Sequence, residues 1–189
     1  MLTPFRSAAV REAAEQAYRR VVEQARRPGF FTDCGVPDTV DGRFELICLH
    51  AFLYLHRLKR EQHAAAALGQ RFFDTMFADF DRSLREMGTG DLSVGREIKR
   101  MAEAFYGRVA AYEGGLAGDD SVLEAALQRN LFGTAAPAEA QLGAMARHVR
   151  REAAMLDRQG AGELLAGQIS FGDPPGPAAS PGSNATDGR

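Results

Sequence analysis

Residues 72–112, FFDTMFADFDRSLREMGTGDLSVGREIKRMAEAFYGRVAAY, decide the fold of this 189-residue chain. Phe72, Met76, Phe80, Leu84 and Met87 recur at helical spacing, and Phe73 and Phe77 widen the same apolar stripe. That pattern is one face of an amphipathic helix. Gly88-Thr89-Gly90 interrupts it. Beyond the break Val94, Ile98, Met101, Phe105, Val109 and Tyr112 resume the period, and Asp91 is placed to accept hydrogen bonds from the new helix's first free N–H groups. The stretch predicts a helical hairpin. No catalytic box is written in it.

Upstream, a first helix is predicted over 4–27, burying Ala14, Tyr18, Val21, Val22 and Ala25, and Pro28-Gly29 stops it. Pro28, Gly29, Gly35, Pro37 and Gly42 then crowd a segment that neither helix nor strand tolerates, so a loop is expected there. The next helix, over 42–60, is apolar around most of its circumference at Leu46, Ile47, Leu49, Phe52, Leu53 and Leu55. Such a helix belongs at the centre. The hairpin follows as helices over 64–87 and 92–112. Ser121-Val-Leu-Glu124 matches a capping box for a short helix to 131. Pro137 suits the first position of a last helix to 159, with a weaker stripe at Leu142, Met145, Val149 and Met155, and a stub over 164–171 can pack back. No β-type alternation and no repeat is visible. The fold class is all-α, a single compact bundle of about six helices over 1–171, and the low-complexity tail 172–189 is expected to be disordered because it cannot bury enough surface to offset its ordering entropy.

Composition excludes several functions. With 23 basic and 25 acidic residues the net charge is -2, so no global field favours nucleic acid. Cys34 and Cys48 are too few for a disulfide framework and too far apart for a CxxC pair, which fits a reducing compartment. The N-terminus carries scattered charges and no signal-peptide core. The longest apolar run, LICLHAFLYL at 46–55, is about half of the roughly 20 residues a bilayer span needs.

Three strings, GVPDTVDGRFEL at 35–46, LREMGTGDLSVGREIKRM at 84–101 and AFYGRVAAY at 104–112, carry a resemblance to the ubiquinol-cytochrome c chaperone family. It runs from about Tyr18 to about Gly118. The resemblance implies a non-enzymatic assembly factor for respiratory complex III that binds newly made cytochrome b or complex III assembly intermediates, with no cofactor of its own. Mitochondrial relatives work with a small partner protein and carry extra N-terminal sequence for import and membrane attachment. The lack of such a segment here leads to the expectation of a bacterial, cytoplasmic version, peripheral at the inner membrane's cytoplasmic face. Two competing readings remain, a helical module for another membrane-complex client and an isoprenoid-type helical enzyme.

The residues offer little chemistry. His50, His56 and His63 stand six and seven apart, unlike the i, i+4 pairs that hold a metal on one helix. His50 reads as a satisfied core histidine and His148 as an isolated, solvated one. Asp74, Asp79 and Asp81 would need a second, facing acidic motif to hold magnesium, and Asp119-Asp120 is better explained as a helix N-terminus. GTGD is no Walker loop, and Cys34 has no flank that would activate it. Catalytic, cofactor and metal residues are therefore assigned to none. Asp38, Asp41 and Arg43 sit in an ordered-looking loop of the kind that caps and salt bridges hold, and because the resemblance is strongest there they are also candidate partner contacts. Arg96, Lys99 and Arg100 oppose the dipole at the start of their helix, so helix stability does not explain them; they read as a solvated polar face or as a docking patch for acidic protein or lipid headgroups, the reading carried forward as candidate partner contacts. Glu97 and Glu103 are close enough to compensate them as a solvated face.

Overall fold

A computed structural model describes residues 4–176. Helices α1 (Pro4–Ala25), α2 (Gly29–Thr32), α3 (Val40–Leu58), α4 (His63–Glu86), α5 (Asp91–Ala117), α6 (Asp120–Leu127), α7 (Glu139–Arg158) and α8 (Ala161–Leu165) follow one another with no strand among the described residues. Six of the eight are long enough to be packing elements, as the periodicity predicts.

Helix α3 is the axle. Its Leu46, Leu49, Ala51, Phe52, Leu53 and Tyr54 are buried, and α1, α4, α5 and α7 all pack on it. From Cys48 to Tyr54 every residue is buried, so this middle stretch has no face left for water and its sequence lacks a polar stripe. Helix α1 lies in the angle between α3 and α4. The Tyr18 hydroxyl donates to Asp79 Oδ2 at 2.8 Å and ties α1 to α4.

The hairpin turn closes as its glycines predict. Gly88 takes φ +88°, and the N–H groups of Gly88 and Thr89 donate to Arg85 O and Leu84 O, each at 3.0 Å. This is the paired C-terminal closure that a left-handed glycine permits. Asp91 does not cap α5. It is the first helical residue, Gly90 is the N-cap without a side-chain bond, and the Asp91 carboxylate pairs with Arg85 across the turn. Its charge still complements the dipole from that position.

Two other helix starts differ from expectation. Helix α6 is capped by Asp119, whose Oδ1 accepts from Val122 N–H at 3.2 Å and from the Ser121 hydroxyl at 2.6 Å, so Ser121 serves the cap rather than being it. Helix α7 begins at Glu139, two residues beyond Pro137. After α6 the chain widens into a π-helical turn, Gln128–Phe132.

The C-terminal stretch 169–175 is a strap across α1, α2 and α7. Gly172 N–H donates to Glu152 Oε2 and Gly172 O accepts from Gln24 Nε2, both at 2.8 Å, while Asp173 pairs with Arg27 at 2.6 Å. Order therefore continues past residue 171, where the tail was expected to begin, because these backbone groups find buried partners. Residues 177–189 of the expected tail lie outside the described residues.

Candidate functional site

The loop before α3 is held in one shape from several sides. Val36 is buried and its N–H donates to Phe30 O at 3.1 Å, while Gln141 of α7 donates to Asp33 O at 3.2 Å. Thr39 caps α3, its Oγ1 accepting from Gly42 N–H at 3.1 Å. Position 42 must be glycine, because a Cβ there would stand 2.0 Å from Pro37 O. Thr39→Ala is expected to cost about 1 kcal/mol of unfolding free energy and Thr39→Ser much less. Urea titration of the two variants checks this, and an alanine variant as stable as the wild type would remove the cap.

Beside this loop opens a cleft of about 870 Å³, walled by the N-terminal half of α3, the C-terminal half of α4, the N-terminal half of α5 and the π-helical turn. Phe44, Ile47, Phe80, Leu84, Met101 and Leu131 make its apolar surface. Val40 and Met87 on the same cleft are 62% and 55% exposed. Met87 thus ends the α4 stripe in solvent rather than in the core. Exposed apolar side chains around a concave apolar surface mark a place for a partner or ligand.

At the base of the cleft Glu45 of α3 and Arg108 of α5 form a two-pronged ion pair, Nε to Oε2 and Nη2 to Oε1, with only 11% and 18% of their side chains exposed. The Arg108 guanidinium lies 5.6 Å from the centre of the Phe44 ring. Burial pushes the Glu45 carboxyl above its ordinary range, and the bonds from Arg108 offset part of that rise. The same bonds raise Arg108, so it stays charged.

The expected contact residues divide. Asp41 and Arg100 line the cleft, with Arg100 paired to Glu97 at 2.8 Å. Asp38 and Arg43 bond to each other at 2.7 Å, and Arg43 lies 5.8 Å from the Phe31 ring centre, so both brace the loop. Arg96 and Lys99 are exposed on α5 outside the cleft lining, and Lys99 is 3.9 Å from Glu103. Glu45, Arg108 and Arg129 were not singled out from the sequence. A signal existed for two of them: Glu45 lies in GVPDTVDGRFEL and Arg108 in AFYGRVAAY.

The acidic residues do not assemble a metal site. Asp79 faces the cleft bonded to Tyr18 and Arg82, Asp81 pairs with Arg85, and Asp119 and Asp120 lie off the cleft, engaged by the α6 cap and Arg150. Among the described residues no group of three or more His, Cys, Asp or Glu side chains is placed to hold a metal ion. Among them, too, no helix is long and apolar enough to cross a membrane.

The model of the ubiquinol-cytochrome C chaperone family matches residues 32–171. The chain belongs to that family. The matched span takes in three walls of the cleft and the π-helical turn, and it extends beyond the 18–118 stretch that carried the resemblance, through α7 to Phe171. Among chaperone-family relatives, ubiquinol-cytochrome-c reductase complex assembly factor 1 of Xenopus laevis is 29% identical over 85% of this chain and 80% of its own length. The human assembly factor 1 is 28% identical over 86% of this chain, which spans 54% of the human protein. Protein CBP3, mitochondrial, of Saccharomyces cerevisiae is 26% identical over 78% of this chain and 45% of its own length. The crystal structure of the Cbp3 homolog from Brucella abortus superposes with a TM-score of 0.79 at 39% identity, covering 88% of this chain and 92% of that one.

All three strings that carry the family resemblance meet at the cleft. The first supplies Asp41, Phe44 and Glu45, the second Leu84, Arg100 and Met101, and the third Ala104 and Arg108. The Glu45–Arg108 pair bonds the first string to the third.

A second buried cluster lies on the other side of α3. His50 donates from Nδ1 to Leu46 O at 2.8 Å, and His148, expected in solvent, is buried with its ring centre 5.8 Å from that of His50. Phe30 and Phe171 pack edge-on against this pair. His148 is buried because α7 turns Met145, His148, Glu152 and Leu156 inward as one face.

Proposed function

We propose that this protein is a non-enzymatic assembly chaperone for ubiquinol-cytochrome c reductase, respiratory complex III, and that it holds newly made cytochrome b in the cleft until the complex is built. The observation that carries this reading is the convergence of the three family-like strings on one apolar cleft. Shielding an apolar client needs a concave apolar surface with a polar rim, and a groove between helices takes an amphipathic segment in that way. Asp41 and Arg100 face the client, whereas Asp38 and Arg43 act by bracing the α3 wall. Arg96 and Lys99 extend the contact along α5 beyond the cleft. We place the protein in a bacterial cytoplasm, peripheral to the inner membrane, where such a client is inserted.

Deleting the gene is expected to deplete complex III, with the reduced-minus-oxidised b and c spectra and the ubiquinol:cytochrome c activity lost while other oxidases persist. The wild-type gene should restore both. Ala104→Trp, which places an indole in the cleft, should accumulate as folded protein and fail to restore them. Normal spectra in the deletion strain would overturn the role. Full rescue by Ala104→Trp would move the client site away from the cleft, and capture of a different membrane complex by the wild-type protein would reassign the client.

A further inference from the structure

Four acidic and four basic side chains line the cleft, and most are spoken for. Glu45 is held by Arg108, Glu97 by Arg100, and Asp79 by the Tyr18 hydroxyl and Arg82. What remains is unequal. Of the four carboxylates lining the cleft, Asp41 alone has no ionic partner among the described residues, and it sits in the first turn of α3 where the helix dipole favours it. Arg26 and Arg129 face the same cleft with no ion pair among the described residues. Arg108 adds a third donor edge: its Nε and Nη2 serve Glu45, and Nη1 has no partner among the described residues. Arg129 is presented by the π-helical turn, an element whose extra residue re-aims side chains and which is common at functional sites. The Tyr112 hydroxyl, four residues beyond Arg108 on α5, is buried without a hydrogen-bond partner among the described residues.

We propose that the cleft selects a segment with a carboxylate at the edge of its apolar face, and that this carboxylate docks between Arg129 and the free Nη1 edge of Arg108. The proposal rests on the cleft being the client site and adds the chemistry by which the client is chosen. The partner is an amphipathic helical segment. Its apolar side chains lie on Phe44, Phe80 and Met101, and its Asp or Glu completes the unpaired positive charge. A segment with lysine or arginine at that edge would set a further cation against the unpaired Arg26 and Arg129. Like charge of that kind rejects wrong partners more strongly than apolar contacts choose right ones. Arg26, at the junction of the cleft with the neighbouring α1–α4 groove, would draw the acidic end of the segment inward.

The test uses a fluorescently labelled amphipathic model helix about five turns long, with a leucine/alanine face and one edge position varied as Glu, Gln or Lys. Binding to the full chain is read by anisotropy at low and high salt. The Glu peptide should bind about tenfold more tightly than its Gln twin, as a charge-assisted contact gives, and the Lys peptide should bind least. In Arg129→Gln, an exposed position whose change leaves the core intact, the Glu and Gln peptides should converge. In Ala104→Trp none should bind. Equal binding of the Glu and Gln peptides to the wild type would overturn acidic selection and leave the cleft as an apolar client site. A Glu preference that survives Arg129→Gln would place the carboxylate elsewhere. No binding of any peptide, or full binding to Ala104→Trp, would take down the client-cleft reading itself.

Discussion

Glu45→Ala is expected to lower the unfolding free energy by about 3–5 kcal/mol, and Arg108→Ala by a similar amount, because each leaves the other's charge buried without a partner. The side chains are only 11% and 18% exposed, so water can take over the lost bonds only in part. The pair itself need not be a large net stabiliser. Desolvating two charges cancels much of what their attraction returns, so Glu45→Leu with Arg108→Met should lie far closer to the wild type than either alanine variant. Urea titration of the wild type, the two alanine variants and the Glu45→Ala/Arg108→Ala double variant gives the coupling directly. If the double change is as damaging as the sum of the single ones, the two residues are acting through other neighbours. If the Glu45→Leu/Arg108→Met variant is stable and no longer supports complex III, the pair is retained for the surface it gives the cleft.

The fold was largely legible because its signals are local. The 3.6-residue stripe of Phe72, Met76 and Phe80 and the all-round apolarity of Leu46 to Leu55 each follow from neighbours along the chain, and both segments form the helices they predict, with α3 at the centre. Cap identities were less legible. Asp91 and Ser121 each have an acidic or hydroxyl side chain one or two residues from the true N-cap, and composition alone does not say which residue leaves the helical conformation first. His148 was missed for a different reason. Met145, His148, Glu152 and Leu156 share one face of α7, but two of them are polar, and an apolar-only reading discards them. The cleft was illegible in principle. Glu45 and Arg108 are 63 residues apart, and only the crossing of α3 and α5 brings them together. The three family-like strings were visible as strings. That they wall one cleft is a fact of packing.

Stability is expected to fall by several kcal/mol as pH drops from about 7 to about 4, well before exposed carboxylates titrate fully, because His50 and His148 are held neutral in the core. Burial drives the His50 imidazole down from 6.5 to about 4. His148 is driven lower still, by burial first, then by the neighbouring His50 and by Arg151, whose Nη2 is 2.8 Å from Nδ1. Glu152, 3.6 Å away, faces His148 as well, but its oxygens are occupied by Arg151 and Gly172 N–H. Both folded-state values lie below that of the unfolded chain, so the unfolded state binds more protons and acid favours it. The loss begins near 6.5, and for His50 it is complete near 4. A shift of that size at His50 corresponds to about 3 kcal/mol. Glu45 works in the opposite sense, since a carboxyl raised by burial gains stability as it is protonated, and it offsets part of the loss. Guanidinium titrations at steps of about half a pH unit measure the slope. Replacing both histidines by phenylalanine should flatten it between about 6.5 and 5, since the Phe30 and Phe171 rings already make that pocket aromatic. A wild-type profile flat over that range would mean that neither imidazole is held neutral inside the fold.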